Sequence, residues 1–443
     1  MTDLPAELER LDRLVNHEAT SSAGIAAGDI DGLSLDAMER LCGLLGDPQT
    51  SYPVIHITGT NGKGAVAAMV TKLIEASGLT AGTYTSPHLL SINERIGRNG
   101  EPIGDDDLAE ALQGVLDVAD LLEQTPTWFE VVTATAFRWF ADAAVDVAVV
   151  EVGLLGRYDA TNVVRSQVAI ITNIGRDHTD LRPGWEADVA TEKAGIIEPD
   201  GSVVVGPVSA EVRAVIEAEG PARLAAVGDQ IHVHDDQIAL GGHVLEIETP
   251  WARHTGLYVP LHGSAHGTNA AVAVAAVEAF FDRQVSDDVA EAAFAAVGLP
   301  GRCELLAHQP LVVFDGAHNP DSAAHLVATL DNEFSVVGSR LLVVGMLDGR
   351  DEAAVLEALA PYGWDAVIVT TPSGPRGRDA DALMEAATRA FPGEVTAVAD
   401  PAHAVARALS HAQDEDLVAV TGSFYLYADA LAAVRAAGLN HPG

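Results

Sequence analysis

Short apolar runs rich in Val, Ile and Ala recur along the chain, separated by stretches with helical spacing. This alternation is the signature of βαβ units around a parallel sheet, whose strands are buried on both faces. In the first part, VIHIT (54–58), VDVAVVEVG (145–153) and QVAIITN (167–173) predict strands, and the periodicity predicts helices over 64–77, 105–123, 130–143 and 184–195. Across 201–260 the pattern breaks into short strands with Gly and Pro, such as GSVVVGP and QIHVHDDQIALGGHVLEIE, before a helix over 268–282. A second alternating series follows GLPGR (298–302), with strands over 311–315, 340–345, 365–370, 394–399 and 417–422. That spacing describes an open, doubly wound, Rossmann-like sheet. The fold class is therefore α/β, with a boundary near 297 separating domain 1–297 from domain 298–443.

Composition narrows the class. Hydrophobic residues make up 48% and aromatics only 5%, which suits helices laid on buried parallel strands. No apolar run reaches the roughly 18–20 residues that span a bilayer, and the acidic start MTDLPAELERLD is unlike a signal peptide. We expect a soluble, cytoplasmic protein with no membrane partner. The two cysteines, Cys42 and Cys303, fit a reducing compartment. Sixty-four acidic residues give a net charge of −39, so no basic patch exists for nucleic acid. Such a chain repels itself unless salt screens over about 3 Å, as at about 1 M, which predicts a halophilic, salt-rich setting.

Lysine is nearly absent: only Lys63, Lys72 and Lys193 occur. Lysine is a compact point charge whose amine can lose its proton and react, which arginine cannot do. Lys63 lies in ITGTNGKGA, where Gly59, Thr60, Asn61, Gly62, Lys63 and Gly64 follow a predicted strand and open a predicted helix. That is the context of a phosphate loop: backbone N–H groups and the helix N-terminus hold an anion while the lysine reaches the outer phosphates. The predicted N-terminal architecture is thus a P-loop ATPase domain with a central, mostly parallel sheet.

The loop, together with YTSPHLLSINERI (84–96), FEVVTATAF (129–137), VVEVGLLGRYDATNVV (149–164), ITNIGRDHTDL (171–181), EKAGII (192–197), PGRCELL (300–306), FDGAHNP (314–320) and VTGSFYLY (420–427), resembles the folylpolyglutamate synthase and dihydrofolate synthase family. These enzymes are relatives of the cell-wall Mur ligases, and the blocks follow the family's order over most of positions 50–430. The resemblance implies ATP-dependent ligation of L-glutamate to dihydropteroate or a folate through an acyl phosphate, with Mg²⁺, expected as two ions. It implies small-molecule partners only, and a monomer.

The resemblance also implies roles for particular residues. ATP would be held by Thr60, Asn61, Gly62, Lys63, Gly64 and Ala65, with Asn269 on the adenine side, Arg302 on the phosphates, Asp315 on the ribose and His318 beside it. Ala65 stands where relatives usually carry Ser or Thr, which removes one hydroxyl. The metal ligands would be Ser86, Glu151, His178 and Lys193, the last as a carbamate; Lys63, His178 and Lys193 carry the catalysis. Taken alone, Glu151 closes a strand at the sheet's ligand-binding edge, whereas His178 also fits a capped loop residue and Lys193 a helix-surface lysine.

Thr127, Trp128, Phe129 and Glu130 match the family's pterin-contacting stretch, and Tyr158 a further substrate contact. Thr127 and Glu130 equally fit a helix capping box. Leu155 replaces a glycine of the family pattern. Ser423 and Asp348 are the expected glutamate contacts, and GLPGR is the expected hinge for domain closure. Other readings remain open at this stage: a Mur-type ligase acting on another carboxylate, which normally has an extra N-terminal domain where only about 50 residues precede the loop here; a P-loop ATPase switch; and a non-catalytic homologue.

Overall fold

A computed structural model describes residues 3–20, 34–177, 179 and 182–439. The chain forms two compact units. The larger contains most of the chain up to Pro260 together with Ala265–Gly298; the smaller contains Leu299–Gly443 with Leu261–Ser264.

In the larger unit, eight strands form one sheet: β1 (Val54–Thr58), β2 (Ala81–Tyr84), β3 (Ile96–Arg98), β4 (Glu101–Pro102), β5 (Val147–Glu151), β6 (Ser166–Ile171), β7 (Ser202–Val205) and β8 (Arg223–Ala226). Their order is β4-β3-β2-β5-β1-β6-β7-β8. From β2 to β8 every pairing is parallel, and β3 and β4 add an antiparallel edge. β1 is central, so all five of its residues are buried, which is why VIHIT shows no alternation. The helix Lys63–Ala76 packs on the sheet and on Ala265–Phe281, a helix so apolar and so deeply buried that Ala270–Ala279 are all buried.

The short strands β2, β3, β4 and β8 leave no apolar run in the sequence. In β2, a Cβ on Gly82 would lie 2.7 Å from the Phe140 ring, so the strand needs a small residue rather than a branched one. A separate antiparallel sheet, β11-β10-β9, is built from β9 (His232–Ala239), β10 (Gly242–Glu248) and β11 (Arg253–Val259). It accounts for the break in pattern across 201–260.

The smaller unit holds β12 (Glu304–His308), β13 (Leu311–Asp315), β14 (Arg340–Val344), β15 (Ala366–Val369), β16 (Glu394–Ala397) and β17 (Leu417–Thr421) in the order β12-β13-β17-β14-β15-β16. All pairings are parallel except β12 with β13. β12 is a strand that the spacing does not predict: it exists as the hairpin partner of β13. Among the described residues no helix is long and apolar enough to cross a membrane.

Candidate active site

In the larger unit the C-terminal ends of β1, β5 and β6 deliver the loops that matter, as open parallel sheets require. Gly59, at φ +146°, and Gly62, at φ +85°, adopt backbone conformations that side chains resist. The helix begins at Lys63 and Gly62 supplies no side-chain cap. The N–H groups of Lys63, Gly64 and Ala65 therefore have no partner within the helix and present positive potential at its start. Thr60 and Asn61 differ from the expectation. The Thr60 N–H donates to the Asn173 carbonyl (3.1 Å) and the Asn61 N–H to Asn173 Oδ1 (3.0 Å), so neither faces outward in this conformation. Asn269 lies against the loop: a Cβ on Gly62 would sit 2.8 Å from Asn269 Oδ1.

Lys63 and Lys193 meet at this loop. Lys63 Nζ donates to the carbonyls of Gly59 (3.2 Å) and Thr60 (3.4 Å), and Lys193 Nζ to that of Gly59 (2.8 Å). Lys193 is not a helix-surface lysine: it is 4% exposed, on the inner side of Trp185–Ala194. Burial and then the Lys63 ammonium pull its pKa down to about 7, against Asp177 and Asp159, which hold it up. With Thr58, Gly59, Thr60, Val152, Gly153, Leu155 and Asp177, the two lysines line a small polar recess.

The Val152–Leu155 wall is fixed from behind. Asp159 is buried; its carboxylate accepts from the N–H groups of Leu154 (2.8 Å) and Thr161 (3.0 Å). Burial raises the Asp159 pKa against those hydrogen bonds. His56 Nε2 bonds the Thr161 hydroxyl (2.9 Å), and burial lowers this histidine to about 3, so it is neutral. Leu155, in the glycine position of the family pattern, takes φ +57° all the same, and its carbonyl accepts from Thr58 Oγ1. Asn162 Nδ2 ties Arg157 O (3.0 Å) to Gly195 O (3.1 Å), docking this wall on the end of the Lys193 helix.

Glu151 ends β5 as a buried carboxylate; its Oε2 accepts the Ser86 N–H (3.2 Å) and lies 3.7 Å from where a Cβ on Gly64 would be. The carboxylate thus stands over the helix start, at contact distance from the first turn. Among the described residues no three His, Cys, Asp or Glu side chains form a ready-made metal site. His178 lies outside the described residues. The other donors are the Ser86 hydroxyl, the Glu151 carboxylate and the Lys193 amine. Mg²⁺ prefers oxygen, so the first two fit it and the third does so only once the amine has become a carbamate.

The expected pterin stretch serves two purposes. Thr127 and Glu130 form a closed capping box, with Glu130 Oε2 accepting from Thr127 N (2.7 Å) and Oγ1 (2.8 Å). Trp128 is 5% exposed and carries the Arg95 guanidinium over its ring at 4.8 Å. Arg95 is itself buried, bonding both oxygens of Glu18 (3.0 and 2.7 Å) and His88 Nδ1 (2.9 Å). Phe129 is half-buried beside Gly153, and Tyr158 is exposed.

In the smaller unit, Arg302 lies over the Phe424 ring at 4.3 Å, which Gly316 makes possible, since a Cβ there would meet that ring at 2.1 Å. Asp315 is committed to the backbone: its oxygens accept from the Cys303 and Ala317 N–H groups, each at 2.8 Å, and burial raises its pKa against Arg302. His318 Nδ1 donates to the Gly316 carbonyl (2.8 Å), and its ring lies 6.1 Å from Phe424. Ser423 is buried and caps the turn after β17, its Oγ accepting the Tyr425 N–H (3.2 Å), an arrangement that does not use its O–H donor. Asp348 pairs with Arg378 (3.4 Å).

Sequence reasoning singles out neither Thr172 nor Asn173, which hold the phosphate loop from β6. Their signal lay in ITNIGRDHTDL, but two small polar residues after a strand resemble any loop entry.

A parallel sheet with a lysine-bearing phosphate loop, joined in sequence to a second doubly wound unit, is the architecture of a Mur ligase. Residues 57–277 match the Mur ligase middle domain and residues 301–424 the Mur ligase, glutamate ligase domain. The dihydrofolate synthase/folylpolyglutamate synthase of Mycobacterium tuberculosis is 42% identical over 385 residues, covering 81% of this chain and 78% of that protein. The structure of Mycobacterium tuberculosis folylpolyglutamate synthase complexed with ADP superposes with a TM-score of 0.89 at 38% identity, covering 99% of this chain and 100% of that one. The bifunctional folylpolyglutamate synthase/dihydrofolate synthase with Mn, AMPPNP and L-glutamate bound gives 0.83 at 30% identity, covering 98% of this chain and 100% of that one. The chain belongs to the dihydrofolate synthase/folylpolyglutamate synthase family.

Proposed function

We propose that this protein is an ATP-dependent acid–amino-acid ligase that joins L-glutamate to the carboxylate of dihydropteroate or of a folate. The observation that carries this reading is the convergence of Lys63, Lys193 and the start of the Lys63–Ala76 helix on one recess, with the buried Glu151 beside it.

In this reading the first-turn N–H groups of Lys63, Gly64 and Ala65 hold the nucleotide's phosphates, and Lys63 turns from the Gly59 carbonyl to the transferring group. The substrate carboxylate takes the γ-phosphoryl group as an acyl phosphate; the glutamate amine then displaces phosphate. Because phosphoryl transfer asks mainly for charge neutralisation and alignment, fixed cations and N–H groups do most of the work. Mg²⁺, expected as two ions held by Glu151, Ser86, His178 and a Lys193 carbamate, would supply further neutralisation of phosphate charge. A lysine held near neutrality, as Lys193 is, can add CO₂ at Nζ, releasing one proton.

Asn269 is assigned to the adenine, Arg302 to the phosphates and Asp315 to the ribose, with His318 beside it in the nucleotide site; a carboxylate holding two N–H groups still has lone pairs for a hydroxyl. Phe129 and Tyr158 are assigned to the pterin, with Thr127, Trp128 and Glu130 shaping the pocket behind them. Asp348 and Ser423 mark the glutamate side. We place the protein, as a monomer, in a salt-rich cytoplasm, a reading supported by its net charge of −39.

The test is ADP release at molar KCl with glutamate and either dihydropteroate or tetrahydrofolate. Release that requires glutamate and one of the two supports the reading; release indifferent to both overturns it.

A further inference from the structure

The loop that would bind phosphate is not held by its own glycines. Its middle peptide is gripped from the neighbouring strand. Asn173, just beyond β6, reads both sides of Asn61: its Oδ1 accepts the Asn61 N–H (3.0 Å) and its Nδ2 donates to the Asn61 carbonyl (3.0 Å). The same carbonyl accepts Thr172 Oγ1 (2.6 Å). The Asn173 carbonyl takes the Thr60 N–H (3.1 Å), and the Gly175 N–H donates to Thr60 Oγ1 (2.9 Å). Gly59 leaves room for this grip, because a Cβ there would lie 1.8 Å from Thr172 Oγ1.

We propose that Asn173, assisted by Thr172, is a positioning residue for the nucleotide triphosphate: it locks the Thr60–Asn61 backbone so that the donors of Lys63, Gly64 and Ala65 face the phosphates. The proposal rests on the ligase reading only for the identity of the ligand. Its physical basis is entropic and geometric. A stretch of Gly-Thr-Asn-Gly has many accessible backbone conformations. An amide side chain that accepts from one residue's N–H and donates to the same residue's carbonyl fixes the two peptide groups on either side of it and selects a single conformation, and no other side chain of that length offers both functions in one plane. The clamp also engages the Thr60 and Asn61 N–H groups, so that among the loop's donors those at the helix start stay available to an anion. The loop is thereby organised before the nucleotide arrives, which spares that ordering cost at binding and keeps the donors aimed as charge shifts.

The experiment uses the full chain at molar KCl and two variants, Asn173→Ala and Thr172→Val. Affinity for ADP is measured by calorimetry, and KM is measured separately for ATP, for the pterin substrate and for glutamate. Asn173→Ala is expected to weaken ADP and raise the KM for ATP by about tenfold or more, while the other two KM values move less than about twofold. Thr172→Val, which removes one of two donors on the same carbonyl, is expected to shift ATP alone and by less. The double variant is expected to fall short of the product of the two, because both side chains act on one peptide. Equal shifts in all three KM values, or a lowered melting temperature with unchanged ADP affinity, would overturn the proposal. Should Asn173→Ala fail to fold, Thr172→Val decides: an unchanged affinity for ADP then overturns it. Wild-type protein that binds ADP yet never uses glutamate would sink the ligase reading and leave the calorimetric test of the clamp intact.

Discussion

Lys63 and Lys193 donate to the same backbone oxygen, the carbonyl of Gly59, over 3.2 and 2.8 Å. The two residues are far apart in sequence, and two cationic groups on one acceptor repel each other. Burial first, and that repulsion after it, lower the Lys193 pKa to about 7.

Replacement of Lys193 by Arg preserves a cation but removes an amine that can react. The expected result is a loss of about 10²-fold or more in kcat. Protein equilibrated with ¹³C-bicarbonate should show a carbamate carbon resonance that is absent from Lys193→Arg. A wild-type spectrum without that resonance would remove the carbamate from the mechanism.

Gly59→Ala and Gly62→Ala should rank in a definite order. At Gly59 the added methyl collides with Thr172 Oγ1 at 1.8 Å, a side chain locked by its bond to Asn61 O; at Gly62 it meets the more adjustable end of Asn269 at 2.8 Å. Both positions also carry positive φ. Gly59→Ala should therefore lower the melting temperature more, and the order would reverse if the space around Thr172 were slack.

His254 gives the larger unit a pH-dependent joint. It is 1% exposed, with Nε2 at 3.2 Å from Glu278, a fully buried carboxylate, and Nδ1 at 2.8 Å from Asp287. Burial pulls its pKa down, but the hydrogen bonds to Glu278 and Asp287 outweigh that and leave it raised. A raised folded-state pKa stabilises fully below the unfolded value of about 6.5 and loses that contribution as pH climbs through the folded value. The melting temperature of the wild type relative to His254→Gln should thus shrink from about pH 6 to about pH 9. A gap that stays constant or widens would contradict this.

Net charge makes a separate prediction. With 64 acidic residues against 25 basic ones, self-repulsion is screened over about 3 Å at about 1 M salt but over about 10 Å at about 0.1 M. Raising KCl over that range should increase the melting temperature steadily. Undiminished folding and activity in dilute buffer would dispose of the salt-rich setting.

Much of the core was legible because buried parallel strands have few alternatives. The run 54–58 is β1 as predicted, and 311–315 is β13. What escaped were elements with no local signal. β2 is four residues with a glycine packed under Phe140, and β12 is defined by its partner rather than by its own pattern. The Thr127–Glu130 capping box was readable from spacing alone, whereas the burial of Trp128 under Arg95 was not, because that contact comes from a distant segment.

The sequence by itself determined the α/β class, the phosphate-loop pattern and the scarcity of lysine that singles out Lys63 and Lys193, since each depends on residue type and local order. Only the tertiary structure decided that Lys193 is buried against Gly59, that Thr60 and Asn61 turn their N–H groups to Asn173, and that Glu151 stands over Gly64. Those facts depend on how β1, β5 and β6 lie side by side, and adjacency in a sheet is fixed by long-range pairing that no local pattern encodes.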